Sequence, residues 1–307
     1  MSAISDPLSP APGMSDNMRG VILMVLCMAA FTLGDTCAKM LSGSIPISQY
    51  MLLRGVLAST LIGIWAWKAG AFRRMSRRDT GLVVLRGVGE AMGAVFFFIA
   101  LFNMPFANVS ALIQMMPLTI TLGSALVFRE PVGWRRWTAI AAGFVGMLMI
   151  VRPGTEGFNT FSLSALASVF WLTVRDLVTR KFSPEVPSLL ATFVTSLVVV
   201  ATAAIWSPFQ DWQPMGLREG ALVVAAAGFI IGGYIFGVMV MRVGDVGFVS
   251  PFRYTSLVLA LLIGWAVFDE WPMVWSLMGA ALIVATGLFT LWRETRGRQV
   301  RAKTLRT

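Results

Sequence analysis

The sequence contains no histidine, two cysteines and few charged residues, which account for 13% of its 307 positions. Without histidine, the commonest metal ligand and the commonest general base are both missing. Cys27 and Cys37 fall within one predicted helix and lie ~15 Å apart along its axis, so they cannot form a disulfide with each other. The sequence therefore predicts no disulfide framework, no metal site and no cofactor.

Apolar residues are abundant instead. They make up 57% of the chain, and the mean hydropathy is +0.76. They occur in successive blocks of about 20 residues, the length that a helix needs to cross the hydrocarbon core of a bilayer. A soluble domain would need much more polar surface. The pattern predicts an all-α polytopic membrane protein.

Ten transmembrane helices are expected from these blocks. The predicted helices are Gly20–Met40, Ile47–Trp67, Gly81–Phe102, Ala107–Phe128, Arg135–Val151, Phe161–Arg180, Pro187–Trp206, Gly220–Met241, Gly247–Phe268 and Met273–Trp292. Many tryptophans fall at the ends of these segments, where an amphipathic ring prefers the headgroup level. Their positions support the segmentation independently.

Basic residues fix the expected orientation. Eighteen lysines and arginines fall on one side of the ten crossings and three, Lys39, Arg152 and Arg218, on the other. This bias predicts a multi-pass protein of a bacterial-type inner membrane with both termini in the cytoplasm. The net charge of +10 is explained by this topology, so no nucleic-acid partner is predicted.

An internal repeat relates the two halves of the chain. Shifting the sequence by 140 residues pairs Phe128 with Phe268 and Glu130 with Glu270, and a shift of 141 pairs Asp35 with Asp176. Five helices per half is an odd number, so the second half must enter the membrane from the opposite face as an inverted repeat. The expected domains are a disordered leader (1–18), two five-helix repeats (19–152 and 153–292) and a basic cytoplasmic tail (293–307).

Four stretches form a pattern that extends over both halves: FTLGDTCAKM in helix one, LRG at 85–87, FREPVGWRRWTAIAAGFVGMLMI at 128–150 and FDEWPMVWSLMGAALIVATG at 268–287. In these stretches the chain resembles the drug/metabolite transporter superfamily, EamA type. One departure is that Arg129 and Asp269 replace the glycine that usually precedes the acidic residue. The resemblance implies a transporter whose substrate crosses through a central polar pathway. Members move amino acids, vitamins such as riboflavin, S-adenosylmethionine, nucleosides or drugs.

Charged residues within the predicted helices are candidate site residues, because a charge at bilayer depth costs at least ~2.5 kcal/mol on insertion scales. The set consists of Asp35, Arg54, Arg86, Glu90, Arg175, Asp176 and Arg253. Three spacings of four residues also allow ion pairs within single helices: Asp35 with Lys39, Arg86 with Glu90, and Asp176 with Arg180. Such pairs would merely make the charges tolerable. Lys39, Glu130 and Glu270 are interpreted as structural residues at helix ends.

Polar residues also form equivalent stripes on helices four and nine, where Ser110 and Gln114 correspond to Ser250 and Tyr254. Such stripes face a bundle interior rather than lipid, which predicts a central pathway and adds Gln114 and Tyr254 to the candidates for substrate binding or gating.

Two gates are hypothesised from the depths of the charges. Asp35 with Arg54 would close the external side, and Glu90 or Asp176 with Arg253 would close the cytoplasmic side. If protons are a coupling partner, the three acidic residues are their only plausible intramembrane carriers.

The most favoured function is a secondary transporter of a small organic metabolite that works by alternating access. A channel-like facilitator is the alternative, and a membrane-embedded enzyme is less favoured because no nucleophile with a base and no ligand cluster is present. The expected partners are a small-molecule substrate and the lipid bilayer. A homodimer is compatible with the sequence.

Overall fold

The computed structural model describes residues 16–129, 133–153, 159–240 and 246–304, and their regular structure is helical throughout. We number the helices by crossing. They are α1 (Asp16–Met40), α2 (Ile47–Lys68), α3 (Arg77–Asn103), α4a (Phe106–Ile113), α4b (Met116–Val127), α5 (Trp134–Val151), α6 (Phe161–Thr179), α7 (Ser188–Trp206), α8 (Leu217–Val240), α9a (Val246–Val249), α9b (Thr255–Phe268) and α10 (Val274–Thr304).

Ten crossings are consistent with this arrangement, as the sequence predicted. Eight segments are long and apolar enough to span a membrane, with α4a and α4b counting as one. The other two crossings are α5, whose first turn carries Arg135 and Arg136, and the apolar part of α10, Val274–Thr290. The last helix continues to Thr304 instead of ending at Trp292 as predicted.

Prolines and hydroxyl side chains set many helix boundaries. Pro46, Pro105 and Pro187 each occupy the residue before a helix, where a fixed φ is favourable and no helical N–H is lost. The hydroxyl of Ser76 accepts a hydrogen bond from the N–H of Asp79 at 3.0 Å and caps α3. These features keep backbone polar groups satisfied at the ends of helices that face an apolar solvent.

Two groups of helices form the centre of the bundle. The first group consists of α1, α8 and α9, and the second consists of α6, α3 and α4. The repeat relates them, because helix n of the first half corresponds to helix n+5 of the second. Helices α2 and α7 pack against each other beside these groups, and α5 packs along α10. We call the face where α1 begins and α10 ends the basic face, and the other face the Lys39 face.

Glycines allow close approach at equivalent interfaces of the two groups. A Cβ at Gly93 would lie 2.7 Å from Leu172, and a Cβ at Gly233 would lie 2.7 Å from Phe31. Residues 93 and 233 correspond by the 140-residue shift. Since lipid is as apolar as a side chain, this close van der Waals packing supplies much of the association between membrane helices.

The two residues that replace the usual glycine both adopt left-handed backbone conformations. Arg129 has a φ of 54° and Asp269 a φ of 52°. Glycine adopts this conformation without steric cost, whereas other residues are strained in it. The backbone geometry therefore explains why glycine is usual at these two equivalent helix ends.

Candidate functional site

Two broken helices cross the middle of the bundle at equivalent positions. Helix α4 is interrupted at Gln114 and Met115, and Pro117, at the start of α4b, has no N–H to give to the preceding turn. In α9 a 3₁₀ segment, Ser250–Tyr254, separates α9a from α9b. Discontinuous helices near the membrane centre leave backbone groups available to a solute, and their ends provide oriented dipoles.

Gln114 joins the two broken helices. Its side-chain Nε2 donates to the hydroxyl of Ser256 at 2.9 Å and to the backbone carbonyl of Arg253 at 3.3 Å. Tyr254, the counterpart of Gln114 in the repeat, instead packs against Gly287 of α10. The structure therefore places Gln114 between α4 and α9, and buries Tyr254 against α10.

Arg175 lies at the centre of a charged triad. Its Nη1 lies 2.9 Å from the carboxylate of Glu90 on α3, and its Nε lies 2.7 Å from the carboxylate of Asp176. The side chains of Arg175 and Glu90 are 20% and 21% exposed. Gly89 allows this arrangement, since a Cβ there would lie 3.1 Å from the Cβ of Arg175. The triad fastens α3 to α6 within one group of helices.

The predicted ion pairs within single helices are replaced by contacts between helices. Glu90 pairs with Arg175 and not with Arg86, whose guanidinium donates to the hydroxyls of Thr179 at 3.0 Å and Thr195 at 2.5 Å. Asp176 bonds to Arg175, its neighbour on the same helix, at a spacing of one residue instead of the four that were predicted. Arginine has five donors in a rigid fork and can serve several neighbouring helices, which spacing along one helix does not reveal.

Arg54 and Asp35 are close enough for their charges to interact, yet no hydrogen bond or ion pair joins them in the described part of the chain. The guanidinium of Arg54 stacks over the rings of Tyr50 and Phe98, at 5.2 Å and 4.8 Å from the centroids. Arg54 therefore contacts aromatic rings of α2 and α3.

Arg253 is exposed and forms no ion pair within the described ranges. The proposed cytoplasmic gate between Arg253 and either Glu90 or Asp176 is therefore absent from this structure, since both carboxylates are held by Arg175. Arg175 lies on the same helix as Asp176 and reaches both acids, so the gate between Arg253 and an acid stays a prediction for another state of the protein.

Lys39 is partnered by Glu270 instead of Asp35. Its Nζ lies 2.9 Å from Oε1 of Glu270, and Oε2 of the same carboxylate accepts the backbone N–H of Phe106 at 2.6 Å. Sequence reasoning assigned both charged residues a structural role at helix ends. The repeat could have indicated that Lys39 and Glu270 form a pair, because it matches Lys39 with Arg180 and Glu270 with Glu130. Glu130 lies outside the described residues.

One aromatic residue near the charges was missed by the sequence analysis. Tyr234 on α8 lies within range of the charges of Glu90, Arg175, Arg86 and Arg54, and its ring meets Phe31 edge-on at 5.7 Å. A single tyrosine in a glycine-rich apolar helix gives no signal of its own. Only the packing of α1 against α8 brings it to the cluster.

Inverted repeats, paired broken helices and a charged interior are the features of secondary transporters. The chain belongs to the EamA-like transporter family, which matches residues 18–152 and 160–292. The protein is therefore a multi-pass membrane protein of a transporter family, and the alternative of a membrane-embedded enzyme is set aside.

Curated relatives resemble the chain over nearly its whole length. The riboflavin transporter of Vibrio cholerae is 28% identical over 92% of this chain and 97% of that protein. The pseudopaline exporter of Pseudomonas aeruginosa is 27% identical over 86% of this chain and 93% of its own length. The S-adenosylmethionine uptake transporter of Rickettsia prowazekii is 22% identical, covering 91% and 94%.

A solved crystal structure shares the fold. It matches with a TM-score of 0.59 and 22% sequence identity over 88% of this chain and 95% of that chain. At this identity the likeness concerns the fold alone.

Proposed function

We propose that this protein is an inner-membrane secondary transporter that carries a small organic metabolite by alternating access, with both termini in the cytoplasm. The observation that carries the proposal is a cluster of charged residues in the bundle interior. It lies among two groups of helices that the repeat makes equivalent. Rocking one group against the other exposes such a cluster to either face in turn. A continuous pore is less favoured, because α4a packs on α9b at the Lys39 face.

Asp35 and Arg54 are the proposed solute contacts. They are an acidic side chain of α1 and a basic side chain of α2, and no ion pair joins them within the described residues. Opposite charges held apart in a bundle interior suit a solute that carries an ammonium and a carboxylate or other complementary polar groups. The rings of Phe31 and Tyr234 offer an apolar wall for a flat part of the solute. Gln114 and Arg253 complete the proposed contacts.

Arg86, Glu90 and Asp176 are proposed to hold Arg175, Arg54 and the α3–α6 interface in position. Arg86 and Glu90 bond to groups on neighbouring helices and Asp176 bonds to Arg175 on its own helix, so binding a solute would require breaking existing bonds. Tyr254, directed towards α10, is proposed to influence the bend of α9 more than to touch solute.

The relatives suggest the first solutes to test. Their names cover riboflavin, S-adenosylmethionine and pseudopaline, of which the first contains a flat ring system and the second is zwitterionic at its amino-acid end. We propose a solute of this kind for the present chain. Protons are the proposed coupling ion, with Asp35 as carrier, and a homodimer stays a prediction.

Thermal unfolding of the purified protein tests the proposal. Riboflavin, S-adenosylmethionine and a panel of zwitterionic amino acids are added separately, and a solute at a hundred times its Kd should stabilise the folded protein by about 2.7 kcal/mol. The substitutions Asp35→Asn and Arg54→Gln should remove the shift. Arg218→Gln, which changes an exposed arginine, should retain it. A shift that survives both site substitutions would contradict the proposed site.

A further inference from the structure

We infer that Lys39, Glu270 and the first turn of α4a form a latch that closes the Lys39 face, and that this structure is the state open towards the basic face. The inference rests on the proposed function, because a gate has meaning only in a transporter. It assigns a gating role to two residues that sequence reasoning treated as structural.

The bonds of the latch cross between the two groups of helices. Glu270 follows α9b, in the first group, and its Oε2 accepts the N–H of Phe106 in α4a, in the second group, at 2.6 Å. Lys39, at the end of α1 in the first group, donates to the carbonyl oxygens of Met104 at 2.5 Å and Leu101 at 3.4 Å at the end of α3.

The charges of the latch match the helix ends that they meet. Glu270 lies at the N-terminus of α4a, where free N–H groups favour an anion, and Lys39 lies at the C-terminus of α3, where free carbonyls favour a cation. The ion pair between them, 10% and 23% exposed, is held in a poorly hydrated site. Desolvation strengthens each of these interactions while the groups stay together.

Aromatic rings seal the same place. The ring of Phe106 meets that of Phe268 edge-on at 6.0 Å, and the Nζ of Lys39 lies 5.4 Å from the centroid of Phe268. The first contact joins the two groups, whereas the second lies within one group. Together with the latch, these rings close the Lys39 face with apolar groups.

Each group of helices has the same cation–ring contact at one of its ends, on opposite faces of the bundle. This contact lies inside a group and is therefore not part of the latch. At the basic face the guanidinium of Arg180 lies 5.3 Å from the centroid of the Phe128 ring. These residues are the repeat counterparts of Lys39 and Phe268. A cation therefore lies over an aromatic ring where α1 meets α9, and equally where α6 meets α4. The bonds that cross between the two groups are those of Glu270 to α4a and of Lys39 to the end of α3.

Within the described ranges, packing between α4 and α9 is concentrated in one half of the bundle. On the Lys39 side α4a packs on α9b, and Gln114, which follows α4a, donates hydrogen bonds to the hydroxyl of Ser256 and to the carbonyl of Arg253. On the basic side α4b packs on α6 and α9a packs on α1, and no comparable packing joins α4b to α9a within the described ranges. Within the described ranges, α4 and α9 are therefore packed more closely on the Lys39 side of Gln114 than on the basic side, as a state open towards the basic face requires.

Distances between spin labels test the latch without any solute. One pair of labels, on Asn103→Cys and Trp271→Cys, spans the two groups at the Lys39 face, and a second pair, on Val127→Cys and Phe248→Cys, spans them at the basic face. All four positions are exposed. The background carries Cys27→Ser and Cys37→Ser, and the protein is placed in lipid nanodiscs for double electron–electron resonance.

Glu270→Gln should shift the first pair to longer distances and the second pair to shorter ones. The matched control is Glu219→Gln, also on the Lys39 face, because the carboxylate of Glu219 accepts the N–H of Gly216 at 2.9 Å within a single loop and helix start. The control should leave both distributions unchanged. Unchanged distributions in Glu270→Gln would overturn the latch, and Lys39→Gln supplies the same test if that variant folds poorly.

Exchanging the two charges distinguishes the latch from a simple ion pair. In the double variant Lys39→Glu with Glu270→Lys the ion pair is retained, but the new side chains carry the wrong charges for the ends of α3 and α4a. The latch predicts that this variant stays open at the Lys39 face. Recovery of the closed distances would overturn the inference. Because the readout needs no solute, failure of the latch leaves the thermal-shift result of the transport proposal untouched.

Discussion

The thiol of Cys27 donates a hydrogen bond to the backbone carbonyl of Gly233, at 3.1 Å, across the interface of α1 and α8. Its counterpart in the repeat, Ser168, donates to the carbonyl of Gly93 at 2.8 Å across the interface of α6 and α3. The two halves therefore build the same interface with different side chains. Such equivalence is what allows one packing arrangement to be exchanged between the halves.

Enlarging Gly233 should destabilise the protein. In Gly233→Ala the new Cβ would lie 2.7 Å from the ring of Phe31, and overpacking of this kind costs about 1–3 kcal/mol. Gly228→Ala on the same helix is the control, since a Cβ there meets no atom within 4 Å. Thermal unfolding in detergent measures both variants, and equal stability of the two would refute the packing role of Gly233.

Removing Arg175 alone should cost more than removing it together with Glu90. Arg175→Met leaves the carboxylate of Glu90 without compensation, with a penalty below the about 3–5 kcal/mol typical of fully buried pairs because each side chain is about one-fifth exposed, whereas after Glu90→Gln the guanidinium keeps Asp176. Glu90→Gln, Arg175→Met and the double variant form a thermodynamic cycle. If the two single effects simply add in the double variant, the pair is not coupled.

Arg129→Gly should stabilise the protein by about 0.5–1 kcal/mol, because glycine adopts the positive φ of this position without strain. Asp269→Gly should stabilise it less, since aspartate tolerates the left-handed region better than most residues. Asp269→Ala should be destabilising. Unfolding midpoints of the three variants check this order, and a destabilised Arg129→Gly would contradict it.

Reversing the charge of Arg253 should reduce transport about tenfold or more, equivalent to ~1.4 kcal/mol, without lowering membrane insertion. The residue is exposed at the broken part of α9, where a solute approaching from the basic face would meet it. Arg218→Glu provides the control on an exposed arginine elsewhere. Uptake or efflux by Arg253→Glu at the rate of the unaltered protein would remove Arg253 from the pathway.

An imposed proton gradient should accelerate transport by the unaltered protein, with Asp35 as the proposed proton carrier. Asp35 is the carboxylate of the cluster that is not held by an arginine bond, so it can exchange a proton as the pathway opens. Flux in proteoliposomes is compared with and without a pH difference. A rate indifferent to the gradient would leave facilitated diffusion or exchange as the mechanism.

The ten-helix fold could be predicted because hydrophobic length, tryptophan positions and the repeat all depend on local sequence. Pro105 and Pro187 mark helix starts, and the shift of 140 residues aligns Phe128 with Phe268 at equivalent helix ends. Boundaries were less accurate at α10, which continues as a helix beyond the apolar segment.

Partners within the charged cluster could not be predicted, because they depend on which helices lie side by side. Spacing along α3 pairs Glu90 with Arg86, yet close packing at Gly89 brings Arg175 of another helix nearer. Lys39 likewise reaches Glu270, more than two hundred residues away in sequence. Spacing rules describe which residues are neighbours on one helix, whereas the contacts in this interior form between different helices.

Counterflow in proteoliposomes tests the central claim most directly, namely that two exchangeable groups of helices carry a solute past one closed gate at a time. Vesicles are loaded with excess unlabelled riboflavin or S-adenosylmethionine, whichever shifts the unfolding midpoint, and diluted into a trace of the labelled compound. A carrier predicts transient accumulation of label above equilibrium, which saturates with concentration. Label that rises to equilibrium without exceeding it would contradict the account and indicate a pore.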